Sequence, residues 1–271
     1  VLAVSLVMDT ISEQLSFMSG YAFHPLAGLP RAVTLFALPE AHIERLHHTT
    51  LLDGEYRDAV LQVVCELDEG KQEGQEYSLE VVLKAPDGAL VPLPTSTFPI
   101  EWGRLKLNLL VENPLKWSAE KPWLYTLEVK LLRGDKKIET LTQRVGFRSV
   151  EVKGERLLVN GAPVKLAGVN RHEIAPLTGR AATAKWAELD ARLFKAAAVN
   201  YVRTSHYPPT REWMDACDEL GLYVEVEAPF CWTRRSEQDD LAAEGLFLDP
   251  TSAMVEFYRD HPSCILWSLG N

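Results

Sequence analysis

The sequence predicts an antiparallel β-sandwich of immunoglobulin type followed by parallel strands alternating with helices. Three observations carry this. The first 150 residues alternate apolar and polar with period 2 and hold no helical stretch. Turn residues divide that half at short intervals: Asp87-Gly88, Asn113-Pro114 and Gly134-Asp135. From about residue 163 the period changes, and short apolar strands alternate with amphipathic segments.

The sandwich strands are read at 58–67 (DAVLQVVCEL), 76–85 (EYSLEVVLKA), 104–113 (RLKLNLLVEN), 123–132 (WLYTLEVKLL) and 137–147 (KIETLTQRVGF). Upstream, residues 32–51 read as two more strands, assigned to a preceding all-β domain. Residues 150–168 form a hairpin that turns at Asn160-Gly161. The second half gives four short strands, at 164–170, 200–206, 222–228 and 264–271. A helix over 183–198 takes Thr183 as N-cap and places Trp186, Leu189, Leu193, Phe194 and Ala197 on one face. A second runs over 210–221, from Thr210 to a C-terminal Gly221. A third runs over 249–262 and is stopped by Pro262. Strand, helix, strand in succession means parallel strands joined by crossovers.

Composition narrows the function. The formal net charge of -10, with no basic stripe, argues against nucleic-acid binding. No apolar run reaches the roughly 20 residues needed to span a bilayer. The opening VLAVSLVM is too short for that and lacks a basic flank, and the chain has no initiator Met, so both ends read as cut. Cys65, Cys217, Cys231 and Cys264 form no C-x-x-C pair. They read as buried free thiols of a reducing, cytoplasmic compartment.

Each of the four parallel strands ends in polar residues: Asn170-Arg171-His172-Glu173, Arg203-Thr204-Ser205-His206-Tyr207, Glu225-Val226-Glu227 and Ser268-Leu269-Gly270-Asn271. In (β/α)8 barrels the active site is built at that end, from several strands at once. Each residue also has a plainer reading. His172 reads as a satisfied structural histidine, Arg203 and Glu227 as a salt bridge between adjacent strands, and Trp267 as core. Glu225 and Glu227 share a face, which is costly unless a cation or Arg203 lies between them. His47 and His48 point to opposite faces of a strand, which disfavours a shared metal.

The stretches NPLKWSAEKPWLYTLEVKL and VGFRSVEVKGERLLVNGAPVKLAGVNRHE, then RTSHYPP, GLYVEVEAP and HPSCILWSLGN, resemble in order the middle of the family 2 glycoside hydrolases, the β-galactosidase and β-glucuronidase group. The resemblance covers about residues 30–271. It implies that residues 1–50 end a jelly-roll sugar-binding domain, that 51–150 are an immunoglobulin-like domain, and that 151–271 are the first four βα units of a (β/α)8 catalytic barrel. It further implies a Glu acid/base directly after Asn271 and a nucleophilic Glu on a later strand. Retaining glycosidases need two carboxyl groups about 5–5.5 Å apart. The expectation is therefore a retaining β-glycosidase, with these 271 residues inactive on their own.

The resemblance assigns roles by position. Asn271 meets the sugar 2-hydroxyl. His172 and His206 contact sugar hydroxyls, with Asn170 beside them. Arg203 holds the nucleophile's carboxylate, and Glu227 and Trp267 line the pocket. Two departures stand out. The magnesium ligands of the β-galactosidases match Cys231 and Thr233 here, poor donors for a hard cation, so no magnesium is expected there. Residues 9–31 lack the family's acidic, Trp-containing loop, which puts one substrate contact and exo-specificity in doubt. NRHEIAPLTGRA (170–181) is more like the β-galactosidases, so a β-galactoside substrate is favoured over a β-glucuronide. The competing readings are a non-catalytic carbohydrate-binding fragment, and an unrelated β/α enzyme using Glu225 and Glu227 as a dyad. Half a barrel leaves open parallel edges, so poor solubility, or pairing of those edges with a second copy or a complementary fragment, is expected.

Overall fold

The computed structural model describes residues 32–70, 76–181, 183–230 and 244–271. The chain divides into two units, one of residues 35–165 with 260–262, the other chiefly of 166–259 and 263–271.

The first unit is the sandwich. Its strands are β1 (His42–Leu52), β2 (Ala59–Asp68), β3 (Tyr77–Lys84), β4 (Thr97–Pro99), β5 (Arg104–Val111), β6 (Tyr125–Arg133) and β7 (Lys136–Val145). They form one sheet in the order β1-β2-β5 and another in the order β4-β3-β6-β7, all antiparallel. The period-2 pattern becomes alternating burial along β2, β3 and β6. Leu61, Val63, Leu79, Val81, Leu83, Leu127, Val129 and Leu131 make one core, each at most 1% exposed. Burying a side chain of this size is worth about 1.5–3 kcal/mol, which is what fixes the register of both sheets.

One boundary needs correction. Residues 32–51 give one strand, not two, and β1 pairs with β2 from His42↔Asp68 to Leu52↔Ala59. Ile43 and Leu46 are buried in the sandwich core, so 42–50 do not belong to a preceding domain. Residues 1–31, including the 9–31 loop region, lie outside the described residues. His47 and His48 engage different partners: His47 Nδ1 lies 2.8 Å from Asp260 Oδ2, and His48 Nδ1 lies 3.1 Å from Gln143 Oε1.

A small antiparallel sheet follows, of β8 (Val150–Lys153), β9 (Arg156–Val159) and β10 (Ala162–Pro163). The expected Asn160-Gly161 turn is present, both residues having positive φ, and it joins β9 to β10. A second turn at Gly154 joins β8 to β9. Gly161 is needed for space as well, since a Cβ there would collide with the Tyr56 ring. The Val164 N–H is spent on Leu157 O, so the next strand starts later than residue 164.

The second unit runs β11 (Gly168–Arg171), α1 (Ala184–Ala196), β12 (Tyr201–Thr204), α2 (Arg211–Leu220), β13 (Tyr223–Glu227), α3 (Glu244–Tyr258) and β14 (Cys264–Ser268). The strands pair in parallel in chain order, β11-β12-β13-β14, as in an unclosed part of a barrel. Val202, Val224 and Val226 pack on Trp213, Met214, Cys217 and Leu222 to form its core. Gly221 closes α2 in the left-handed conformation (φ 77°), where a Cβ would be strained.

Two helix expectations shift. On α1 the buried residues are Ala187 and Ala191, while Leu189 and Leu193 are exposed. Small alanines admit the closest approach to the sheet, so the helix turns that stripe inward rather than its leucines. Thr183 occupies the N-cap position without a side-chain capping bond. The third helix starts and stops earlier than expected, with Pro250 inside it. No helix among the described residues is long and apolar enough to cross a membrane.

Cys65, Cys217 and Cys264 are buried free thiols, and Cys231 lies outside the described residues. Burial pushes the Cys65 thiol up from 9.0 to about 12. Above 9.0 the unfolded chain releases a proton that the folded chain keeps, so the contribution to stability is intact at neutral pH and lost as pH rises toward about 12. At about pH 10 the loss amounts to ~1.4 kcal/mol. Urea titrations are expected to show Cys65→Ala losing less stability than the parent between about pH 7 and about pH 10, by roughly that amount. Equal losses would contradict the assignment.

Candidate active site

The polar strand tips converge on one buried carboxylate. Glu227 ends β13 and is 0% exposed. Arg203 on β12 donates its Nε to Glu227 Oε2 at 2.6 Å and its Nη2 to the same oxygen. Ser268 on β14 donates its hydroxyl to Oε2 at 2.7 Å. His206 Nδ1 lies 2.5 Å from Oε1. The Glu227 backbone N–H donates to Thr204 Oγ1 at 3.0 Å, which ties the carboxylate's own main chain to β12. Strands β12, β13 and β14 thus meet at a single anion.

Register explains the convergence. Parallel partners point to the same side of a sheet, and Glu227 stands opposite Ser268. Arg203 stands opposite Glu225, one alternation before Glu227, and its long side chain reaches forward to the strand end. The charge that Glu225 and Glu227 share along one face is resolved in two ways. Glu227 takes Arg203, whereas Glu225 Oε2 accepts the Tyr201 hydroxyl.

Arg203 also donates Nη2 to Asn271 Oδ1 at 3.2 Å. Asn271 is anchored by its backbone N–H, which donates to Phe230 O at 2.8 Å. The residue before it can only be glycine. Gly270 has φ 145°, and a Cβ would stand 2.8 Å from Phe230 O. His172 joins the group edge-on to His206, with ring centroids 5.3 Å apart. Asn170 is exposed and opposite Arg203 in register, on the same face.

Other expected members lie elsewhere. Trp267, expected in the pocket, stands in register with Val226, whose side chain belongs to the helix-side core, and is 38% exposed. Alternation along β14 puts Ser268, not Trp267, on the Glu227 side. Arg171 faces the helices. It donates Nε to Asp190 Oδ2 at 2.9 Å and lies 4.0 Å over the Trp213 ring. Glu173 accepts the Thr210 N–H and hydroxyl at 3.1 and 2.7 Å, fixing the start of α2. Cys231 and Thr233 lie outside the described residues. Ser268, Thr204 and Tyr201 escape the reading of the sequence as site residues. Period-2 pairing carried across β13 and β14 would miss Ser268, because the register irregularity between Val224 and Glu225 is what sets it opposite Glu227.

The two rim carboxylates described are therefore already engaged, Glu227 by three side chains and Glu225 by Tyr201, and Glu173 on the helix side is taken by Thr210 and Arg171. Such a cluster positions hydrogen-bonding groups; it offers no pair of opposed carboxyls for double displacement. Removing the Glu227 charge leaves the Arg203 guanidinium, itself only 23% exposed, without its counter-ion. Glu227→Gln is expected to cost about 3–5 kcal/mol in denaturant unfolding. A loss below about 1 kcal/mol would show that the carboxylate does not organise the rim.

Comparison with known proteins agrees with this architecture. The family model described as "Glycosyl hydrolases family 2" matches residues 41–148, and that described as "Glycosyl hydrolases family 2, TIM barrel domain" matches residues 150–271. A β-galactosidase of Priestia megaterium is 35% identical over 94% of this chain, and 26% of its own length is covered. A β-galactosidase of Halalkalibacterium halodurans is 30% identical, with the same coverage of each. The chain thus spans about a quarter of the length of the curated relatives it matches. Among solved structures, a Parabacteroides merdae β-glucuronidase superposes with a TM-score of 0.77 at 27% identity, over 90% of this chain and 31% of that one. With both units matched by models of one family over nearly all of residues 41–271, the chain belongs to glycosyl hydrolase family 2.

Proposed function

We propose that these residues build the sugar-binding and nucleophile-orienting side of the pocket of a retaining β-glycoside hydrolase acting on terminal β-galactosides. The observation that carries this is the Glu227 cluster, which gathers groups from the ends of three adjacent parallel strands. In this reading His172, His206, Asn170 and Asn271 meet sugar hydroxyls. Asn271 faces the 2-hydroxyl, where a hydrogen bond strengthens as the oxocarbenium-like transition state forms.

Arg203 has two functions. Its Nε and Nη2 are held by Glu227 and Asn271. Among the described residues its Nη1 makes no hydrogen bond, so one donor of a clamped guanidinium is available to an incoming carboxylate. A cation fixed in this way keeps a nucleophilic carboxylate ionised and oriented. Glu227 holds that geometry by accepting both Nε and Nη2 of the Arg203 head.

The galactoside preference rests on the relatives of 30–35% identity, which are named β-galactosidases. The second reading, a β-glucuronide substrate, is favoured by the solved neighbours named β-glucuronidases. The 271 residues by themselves are proposed to be inactive, since each rim carboxylate is committed to a structural bond.

Nitrophenyl β-galactoside and β-glucuronide, offered to the chain and to the product of the complete reading frame that encodes it, separate these possibilities. The expected result is no turnover by the 271 residues, β-galactoside hydrolysis with retention by the full product, and at least a tenfold fall in its kcat/KM on Arg203→Lys, about 1.4 kcal/mol or more. Hydrolysis of the glucuronide alone would favour the second reading. Turnover of either substrate by the 271 residues would refute the division of roles.

A further inference from the structure

Two carboxylates, Glu225 and Glu227, lie on the same face of β13, and one guanidinium, Arg203, faces them from β12. By register Arg203 is the direct partner of Glu225, not of Glu227. Sequence distance and strand pairing would therefore give the ion pair to Glu225. The structure gives it to Glu227, with Nε at 2.6 Å and Nη2 on the same oxygen. Something must withdraw Glu225 from the competition.

That group is Tyr201. Its hydroxyl donates to Glu225 Oε2. The ring is seated by a specific absence: it lies against Gly168 on β11, where a Cβ would collide with Tyr201 Cδ1. Burial, and then the bond to Glu225, push the Tyr201 hydroxyl well above its ordinary value, so it remains a donor throughout the working range. Among the described residues, the Tyr201 hydroxyl makes no hydrogen bond to any of the proposed sugar contacts.

We infer that Tyr201 is a positioning residue: by occupying Glu225 from a seat cleared by Gly168, it holds Arg203 on Glu227 and Asn271. A donor that binds the nearer anion makes the farther one the better partner. Arg203 is then drawn toward the strand tip, and its third nitrogen is presented at the rim. In a sheet with Glu225 unoccupied, the guanidinium would be shared between two carboxylates and would lose its single orientation. The functional meaning of this selector rests on the proposed role of Arg203, but the selection itself is a property of the fold.

The test reads the Arg203 side chain directly and needs no turnover, so its failure and failure of the functional reading are distinguishable. In 15N–1H spectra of the chain, the Arg203 Nε–H signal is identified as the one that disappears in Arg203→Lys. A hydrogen bond to a carboxylate should place it downfield and slow its exchange with water. Tyr201→Phe keeps the ring over Gly168 and removes only the hydroxyl. It is expected to shift the signal upfield or broaden it. Glu225→Gln is expected to leave the signal in place, and Tyr201→Phe combined with Glu225→Gln to restore it, because the competing charge is gone. An unchanged signal in Tyr201→Phe, or no restoration in the double variant, overturns the inference. Should Tyr201→Phe alone not fold, Gly168→Ala takes its place, since its Cβ would push the Tyr201 ring from its seat: a displaced signal that Glu225→Gln restores supports the selector, and an unchanged one overturns it.

Discussion

A carboxylate sealed from water must be matched by donors, and the site follows from how that is met at Glu227. Leaving such a group ionised and unpaired would cost several kcal/mol, so its partners are not optional. Arg203 and Ser268 donate to one oxygen, and His206 lies against the other. Because these partners arrive from β12 and β14, satisfying one anion fixes the relative height of three strand tips. Asn271 and His172 are then placed secondarily, through Arg203 and through the His206 ring. The polar rim is in this sense a consequence of burying one charge correctly.

The two faces of the parallel sheet divide the work. Valines on the helix side, Val202, Val224 and Val226, supply apolar burial and hold the strands in line. The opposite face carries Tyr201, Arg203, Glu225 and Glu227, which a core of hydrocarbon could not accommodate. Arg171 and Glu173 stand near the same tips but face the helices, with Arg171 bonded to Asp190 and stacked on Trp213. Polar residues at a strand end are therefore of two kinds, those that form the rim and those that lock the following helix, and alternation decides which.

That distinction marks what the sequence can disclose. The two-part architecture is legible because period 2 and strand–helix alternation are strong local signals, and the motifs RTSHYPP and HPSCILWSLGN carry the family. That Arg203, His206, Glu227 and Asn271 come together is legible from their place at the strand ends. Trp267 is not, because a register irregularity between Val224 and Glu225 sets Ser268, rather than its neighbour, opposite Glu227. The buried face of α1 is hidden because counting large apolar residues favours Leu189 and Leu193 over the alanines that permit close packing. Strand β1 resembles part of another domain because its run of polar residues, HIERLHH, hides a pairing that only β2 completes. Pairing between segments distant in sequence is where local periodicity stops being informative.

The central claim is that Glu227 and Arg203 are energetically one unit. A double-mutant cycle measures this directly: unfolding free energies of Arg203→Met, Glu227→Leu and the two combined. The account predicts that each single change is strongly destabilising and that the combined change costs less than either, with a coupling of about 2 kcal/mol or more, because neither charge is then left buried alone. Additive losses, with coupling below about 0.5 kcal/mol, would contradict it.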